Sequence, residues 1–329
     1  MSAASGREPR PPQTRRLRRL AQRLLLRAGG GGLVLLASAT VTFFALHLTP
    51  GDPVRALLGG PTSNPTPETI AAAVKEFGLD QPLLTQYAIY IGRLLRGDFG
   101  VSFSQHLPVA DVIAEQVWPT LQLTAASLLV AWVLALVSVL GTTRRGRWVS
   151  GLGSAIETVS ASLPQFWLGI VLLAVFSFGL RLFPPEGNGG LVSLVLPTLA
   201  LAVPLAGFLA QVMRESLELA LDQPFILSAR MRGLGDWPVR WRHALRHAVL
   251  PGVSLSAWAV GSLIGNSVLV ELIFSRQGLG RQLYQAVSLQ DMPLTIGITL
   301  FVTLVYIVTS ILVDALYVVV DPRIEAGRT

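Results

Sequence analysis

The sequence has no cysteine, a single lysine and few charges of either sign: 14% of its 329 residues are charged. Without cysteine, disulfides, thiolate metal sites and cysteine nucleophiles are all excluded. The lysine, Lys75, lies in Ala73-Val-Lys-Glu-Phe77, which lacks the glycine-rich turn and the following Ser or Thr of a phosphate-binding loop, so nucleotide hydrolysis is not expected in this chain. A soluble domain carries about 25% charged residues, so an ordinary soluble protein is also excluded.

Long apolar runs dominate what is present, and hydrophobic residues make up 51% of the chain. A helix needs roughly 20 residues to cross a hydrocarbon core about 30 Å thick. The predicted fold class is therefore an all-α integral membrane protein, with six transmembrane helices at residues 28–48, 119–141, 158–180, 191–212, 251–270 and 292–320. The first run is expected to be a retained span, because residues 46–52 offer no small-x-small signal for cleavage.

The basic residues are unequally divided between the segments that join these spans. With the N-terminus inside, 19 of the 26 fall on the cytoplasmic side, in residues 1–27, 142–150, 214–250 and 321–329. Basic residues favour the cytoplasmic side, so both termini are predicted to be cytoplasmic. The net charge of +7 then reflects topology rather than nucleic-acid binding, since the basic residues are dispersed. Residues 1–27 are expected to form a basic tail that rests on anionic lipid.

Between the first two spans, residues 49–117 form the largest external segment. Three short helices are predicted in it, at residues 66–77, 82–96 and 108–117, with Thr66 capping the first and Gly78 ending it. The remaining core, residues 118–320, contains Pro164 and Pro204 within its predicted third and fourth spans. Each proline removes a backbone hydrogen bond and can kink its helix.

A polar, arginine-rich insert, residues 214–250, interrupts this core on the cytoplasmic side. Pro224 suits the first turn of a helix, and Gly233 suits the left-handed residue that ends one. Spacings of three and four put Phe225, Ser228 and Ala229 near one face. A short surface helix with small residues fits a groove on another protein, although an ordinary interfacial loop would have a similar composition.

The insert contains Ser228-Ala-Arg-Met-Arg-Gly-Leu234, followed by His243-Ala-Leu-Arg246 and Leu250-Pro251. This arrangement resembles the cytoplasmic coupling motif of ABC-importer permeases. It is most similar to the first permease subunit of dipeptide, oligopeptide and nickel importers. Further motifs of that family occur in its order along the chain: Pro50-Gly-Asp-Pro53, Gly78-Leu-Asp-Gln-Pro82, Leu95-Arg-Gly-Asp-Phe-Gly100, Glu271-Leu-Ile-Phe274, Gly278-Leu-Gly280 and Asp321-Pro-Arg-Ile324. The resemblance covers nearly everything except the basic tail.

This resemblance implies a type I ABC importer permease fold in a bacterial inner membrane. It also implies a second, homologous permease subunit, two cytoplasmic ATPase subunits that bind ATP and magnesium, and an external substrate-binding protein, with no cofactor in this chain. The residues implied in coupling to the ATPase are Phe225, Ser228, Ala229, Arg230, Met231, Arg232, Gly233 and Leu234. The chain departs from the family at Pro224, Met231, Arg232, His247 and Gln277, which affects the details of pairing with partners.

The resemblance makes several polar residues of the spans candidates for the transport route. Gln165, Asn266 and Ser267 either line that route or form hydrogen bonds between helices. Glu271, with Gly278 and Gly280 in the loop that follows, is a candidate external gate or contact for the binding protein. No metal site is expected, because His243 and His247 have Ala244 where a zincin motif has Glu.

Function is accordingly predicted to be that of a permease subunit, not an enzyme, in an ATP-driven importer of short peptides or of nickel or metallophore complexes. The sequence does not identify the cargo, because in such importers the binding protein selects it. The alternative is a proton-coupled secondary transporter that uses Asp314, a carboxylate within the sixth span. In that alternative the chain would need no ATPase.

Overall fold

The protein is described by a computed structural model. It describes residues 13–48, 66–68, 70, 74 and 80–320, without the side chains of residues 13–28, 257 and 313–320. Within this part the regular structure is helical, with no strand beyond one isolated bridge between Val101 and Pro108. The helices are α1 Gln13–Leu48, α2 Leu83–Leu94, α3 Val109–Thr142, α4 Arg147–Ser162, α5 Gln165–Leu172, α6 Leu191–Leu221, α7 Pro224–Met231, α8 Asp236–Pro238, α9 Leu245–Ile273, α10 Leu279–Ser288 and α11 Met292–Val320. Two π-helical segments, Leu173–Gly179 and Val239–Ala244, extend α5 and join α8 to α9.

Four helical stretches of the described chain are each long and apolar enough to cross a membrane: Gly29–Leu48, Val109–Thr142, Leu191–Leu221 and Met292–Leu312. Two bent pairs raise the number to six if each pair is one span. One pair is Arg147–Ser162 with Gln165–Gly179, and the other is Asp236–Ser256 with Trp258–Ile273. The coarse prediction, a helical membrane protein with apolar helices in these regions, is confirmed.

The predicted third span is divided at Pro164. The chain turns there by 100°, far more than the kink that a proline within a helix produces. Leu163 and Pro164 are both extended, with ψ of 127° and 128°. The residue before a proline is disfavoured from helical geometry, and the proline itself supplies no N–H, so the helix ends on one side and restarts on the other.

Elsewhere the helices run further than predicted. The external helix expected at 108–117 is the first part of α3, which continues through Pro119 without a break. Likewise α6 passes through Pro197 and Pro204 and ends at Leu221. Residues 214–221 of the predicted insert therefore belong to a spanning helix. Of the external helix predicted at 66–77, residues 67, 68, 70 and 74 are helical and the rest lie outside the described residues.

The core lies where α3, α6 and α9 pack against one another, with α4 crossing α6 on one side. Small residues occupy many of the closest positions, among them Ala131, Ala135, Ala200 and Ala210, all of which are buried. Small side chains let helix backbones approach closely, which is how spanning helices gain packing energy without a hydrophobic driving force between them. Separately, α1 packs along α11 at the edge of the molecule.

Candidate functional site

The helix predicted in the cytoplasmic insert is present as α7, and its boundaries follow from its end residues. Pro224 occupies the first turn, as predicted. Gly233 has φ of +84°, the left-handed conformation predicted for it. The amide of Leu234 then donates to the carbonyl of Ala229 over 3.3 Å, which satisfies a carbonyl at the helix end. The predicted helix and its terminating glycine are therefore confirmed.

One side of α7 packs onto its own chain and the other side is exposed. Ile226 and Ala229 are 1% and 0% exposed and pack into the core of their own chain. Phe225 lies against the ring of His247, with centroids 5.2 Å apart. Leu227 and Met231 are instead 65% and 83% exposed. Ala229 and part of Phe225 therefore face the protein itself, because α7 docks onto its own chain through this side.

Leu227 and Met231, with Ser228 between them, form an outward stripe that we call the coupling face. Residues four apart in a helix lie on the same side, so these two large apolar side chains are neighbours. Arg230, Arg232 and Gly233 are also exposed around this stripe, and Leu234 is half-buried. Sequence analysis missed Leu227, although its spacing of four from Met231 could have revealed it.

A cluster of ion pairs lies beside the C-terminal end of α7. Asp236 accepts hydrogen bonds from Arg240 over 2.7 Å and from Arg230 over 3.4 Å, and Arg145 lies 3.8 Å away. Arg240 is 2% exposed, although it carries a full charge. A buried guanidinium is tolerated only where its donors are satisfied, so this cluster needs a defined geometry.

Arg240 extends the cluster to the C-terminal end of α3. Its Nη1 donates to the carbonyl of Thr143 over 2.6 Å, directly after the last residue of that helix. A cation at a helix C-terminus is favoured by the helix dipole. A second contact joins Arg144 to Asp222, through two hydrogen bonds of 2.7 and 2.6 Å, and the Arg144 guanidinium holds the pKa of that carboxyl below its usual value. The insert is thus attached to α3 at two points.

Deeper in the molecule, Glu157 and Arg214 form a buried ion pair. Arg214 donates to both carboxylate oxygens over 2.7 Å and also to the hydroxyl of Thr142. Glu157 is 2% exposed. Its location at the start of an apolar run suggests an interfacial carboxylate, but the structure places it between α3, α4 and α6.

The external candidate Glu271 is fully buried beneath the loop that follows it. It accepts hydrogen bonds from the Thr120 hydroxyl over 2.6 Å and from the amides of Gly280 and Arg281 at the start of α10. A Cβ on Gly278 would overlap this carboxylate, and a Cβ on Gly280 would overlap the backbone of Val268. Glu271 therefore holds the loop and the N-terminus of α10 in place, and it does not reach the outer surface.

The other candidates lie apart from one another. Ser267 is fully buried and donates to the carbonyl of Ile264, so it does not line an open route in this conformation. Asn266 is half-buried and donates to the carbonyl of Ser262. Gln165 is half-buried at the start of α5, and its Oε1 has no hydrogen-bond partner among the described residues. The side chain of Asp314 lies outside the described residues.

Comparison with known proteins gives two adjoining family matches. Residues 119–326 match the family described as binding-protein-dependent transport system inner membrane component. Residues 20–124 match the N-terminal part of the membrane components of such systems. Together these matches span the chain from its basic segment through α11.

Curated relatives and a solved structure agree with these matches. The glutathione transport system permease protein GsiC of Salmonella paratyphi A is 35% identical over 292 residues, which are 88% of this chain and 94% of that protein. GsiC of Escherichia coli strain K12 is 34% identical over 288 residues, 87% and 93% of the two chains. An inward-facing structure of the MetNI methionine ABC transporter aligns with a TM-score of 0.53 at 22% identity, covering 64% of this chain and 96% of that one. At this identity the structural likeness shows a shared fold.

Proposed function

This chain belongs to the family of inner membrane components of binding-protein-dependent transport systems, and from that membership we propose that it is the permease subunit of an ATP-driven importer of short peptides. As a member of this family it is an ABC transporter permease of the inner membrane, without enzymatic activity of its own, that works with an ATPase and a binding protein. The proton-coupled alternative has no support from these similarities.

The finer arrangement belongs to the proposal. Six spans cross the membrane, the third and fifth as bent helix pairs, and both termini are cytoplasmic, as the distribution of basic residues predicts. A second, homologous permease forms the other half of the pathway. Two ATPase subunits bind and hydrolyse ATP with magnesium, and this chain holds no cofactor.

Coupling to the ATPase passes through α7. The coupling face offers Leu227 and Met231 to a groove of the ATPase, while Ala229 on the opposite side fixes the helix to this chain. Movement of α7 then reaches α3 through Arg240 and the carbonyl of Thr143. The single observation that carries this proposal is an exposed apolar stripe on a short helix whose other side is held by buried packing.

Peptide cargo is proposed from the relatives, whose names give glutathione, itself a tripeptide, as what they transport. Nickel or a metallophore complex is the cargo that we consider second. Among the described residues no group of three or more His, Cys, Asp or Glu could hold a metal ion.

The decisive experiment places a charge on the coupling face. We expect Met231→Asp to abolish co-purification of the ATPase with the permease pair in mild detergent, because a carboxylate would be buried unpaired in the groove. ATP-driven uptake of a labelled tripeptide should fall with it. The measurements are the ratio of ATPase to permease in the purified complex and the initial rate of uptake in vesicles.

Leu95→Asp is the matched control, because Leu95 has the same exposure of 83% as Met231 and lies at the opposite, external end of the molecule. It adds the same charge and should leave ATPase association unchanged. If Met231→Asp retains the ATPase at the wild-type ratio, then α7 is not the coupling element and the proposed docking is wrong.

A further inference from the structure

A cavity of about 820 Å³ lies near the external ends of α3, α6 and α9. Sites for small molecules generally have volumes of roughly 300–1,000 Å³ and combine apolar walls with a few fixed polar groups. This cavity has that composition. Its lining consists of Trp118, Pro119, Leu121, Gln122, Thr124, Ala125, Leu128, Asn188, Gly190, Leu191, Leu194, Val260, Arg276 and Gln277.

Arg276 contributes a buried positive charge to the wall. It is 6% exposed, and its guanidinium donates to the carbonyl oxygens of Gly187 and, over 3.3 Å, of Pro119. Its Nε has no hydrogen-bond partner among the described residues. A buried charge is costly unless it is paired, so this guanidinium has unused capacity to bind an anion.

The buried carboxylate of Glu271 does not satisfy that capacity. Burial lowers the pKa of Arg276, and the negative charge of Glu271 opposes that shift only in part. Both of its oxygens are nevertheless engaged, one by Thr120 and the other by the amides of Gly280 and Arg281. No ion pair joins Glu271 to Arg276 in the described part of the chain. The positive charge therefore remains available to a ligand.

Thr124 supplies a second polar group on the wall. It is 4% exposed, and its hydroxyl also has no hydrogen-bond partner within the described structure. The loop that carries Arg276 is held by Asn188, whose amide donates to the carbonyl of Ser275 over 3.0 Å and whose Oδ1 accepts from the amide of Gln277 over 2.9 Å. The guanidinium is thus kept at a fixed position.

We propose that this cavity is a cargo subsite, in which Arg276 binds a carboxylate of the transported peptide, Thr124 donates a hydrogen bond to it, and the apolar wall near Trp118 receives its side chains. This inference rests on the proposed function, because it takes the cargo to be a peptide. It assigns recognition of the anionic end of the peptide to the permease itself, in addition to any selection by the binding protein.

The test uses the complete permease and ATPase complex in nanodiscs, without binding protein or nucleotide. Saturation-transfer difference NMR detects weak ligands, and the probes are triglycine and triglycine amide. We expect transfer to the free acid and a signal about tenfold weaker for the amide, because the amide has no anionic group for the guanidinium to bind. Equal signals from the two probes would overturn the assignment of a carboxylate subsite.

Four variants locate the signal. Arg276→Gln should reduce transfer to triglycine about tenfold, and Thr124→Val, which keeps the shape of the side chain, should reduce it less. Arg96→Gln removes an exposed arginine on the same side and should have no effect. Because Arg276 also binds two backbone carbonyls, Arg276→Lys serves as a second variant: it keeps the charge and should retain part of the signal. If Arg276→Gln binds both probes as the wild type does, the proposal is wrong, whatever the ATPase association shows.

Discussion

At the scale of single residues, the buried charges are the features that depend most on their partners. Glu157 and Arg214 satisfy each other between three helices, with side-chain exposures of 2% and 10%. Glu157→Gln should destabilise the protein by about 3–5 kcal/mol, because Arg214 would remain buried and charged without a counter-ion. The measurement is the apparent thermal midpoint of the purified complex in detergent.

Two comparisons separate this effect from a general loss of polarity. The double variant Glu157→Gln with Arg214→Met should recover much of the lost stability, since replacing both partners removes the unpaired charge. Asp98→Asn breaks an ion pair with Arg93 that is about half exposed, and it should cost less than about 1 kcal/mol. Equal midpoints for Glu157→Gln and Asp98→Asn would show that the buried pair has no special importance.

Residue-level prediction from sequence worked where the cause was local. Gly233 was correctly predicted as the end of α7 because a left-handed helix terminus requires little beyond the glycine itself. Glu157 was placed at the membrane interface because it flanks an apolar run, whereas its partner Arg214 is 57 residues away in sequence. Such a pairing depends on how α4 crosses α6, and no local pattern records that crossing.

At the scale of helices, the crossing of α4 over α6 depends on Gly207. A Cβ at this position would lie 2.5 Å from the amide nitrogen of Ala161 and 2.6 Å from the carbonyl oxygen of Glu157, both backbone atoms that cannot move aside. Gly207→Ala should therefore push the helices apart and destabilise the protein by about 1–3 kcal/mol. The change is measured as a fall in the same thermal midpoint.

Gly151, within α4 itself, is the matched control. An added Cβ there meets nothing within 4 Å, so Gly151→Ala should be neutral or stabilising by about 0.5–1 kcal/mol through helix propensity. A Gly207→Ala midpoint at or above that of Gly151→Ala would contradict the close helix approach.

The sequence correctly predicted where the spanning helices lie, but it did not correctly predict where each helix continues and where it breaks. Long apolar runs located the spanning helices because hydrophobic length is a property of the local sequence. The same reasoning separated residues 108–117 from α3, although Pro119 lies in the first part of a single helix of 34 residues. It also underestimated Pro164, where two consecutive extended residues turn the chain by 100°. Whether a proline kinks or ends a helix depends on the packing around it.

At the scale of the whole molecule, α3 connects the two proposed sites. Its C-terminal end receives Arg240 at Thr143, and its N-terminal half carries Thr120, bound to Glu271, and Thr124, on the cavity wall. With 34 residues at 1.5 Å each, the helix is about 51 Å long. A continuous helix of that length can transmit a displacement of α7 to the cavity. Sequence analysis did not predict this link, since it divided α3 in two.

That link has meaning only if α7 and the cavity lie on opposite sides of the membrane, and the absence of cysteine makes this directly testable. Single cysteines at exposed positions provide the probes: Arg242→Cys beside the ion-pair cluster and Glu186→Cys in the loop before α6. An impermeant maleimide added to intact cells should label Glu186→Cys and leave Arg242→Cys unlabelled until the cells are permeabilised. This follows from the excess of basic residues predicted on the cytoplasmic side. Labelling of Arg242→Cys in intact cells would invert the topology and separate α7 from any cytoplasmic ATPase.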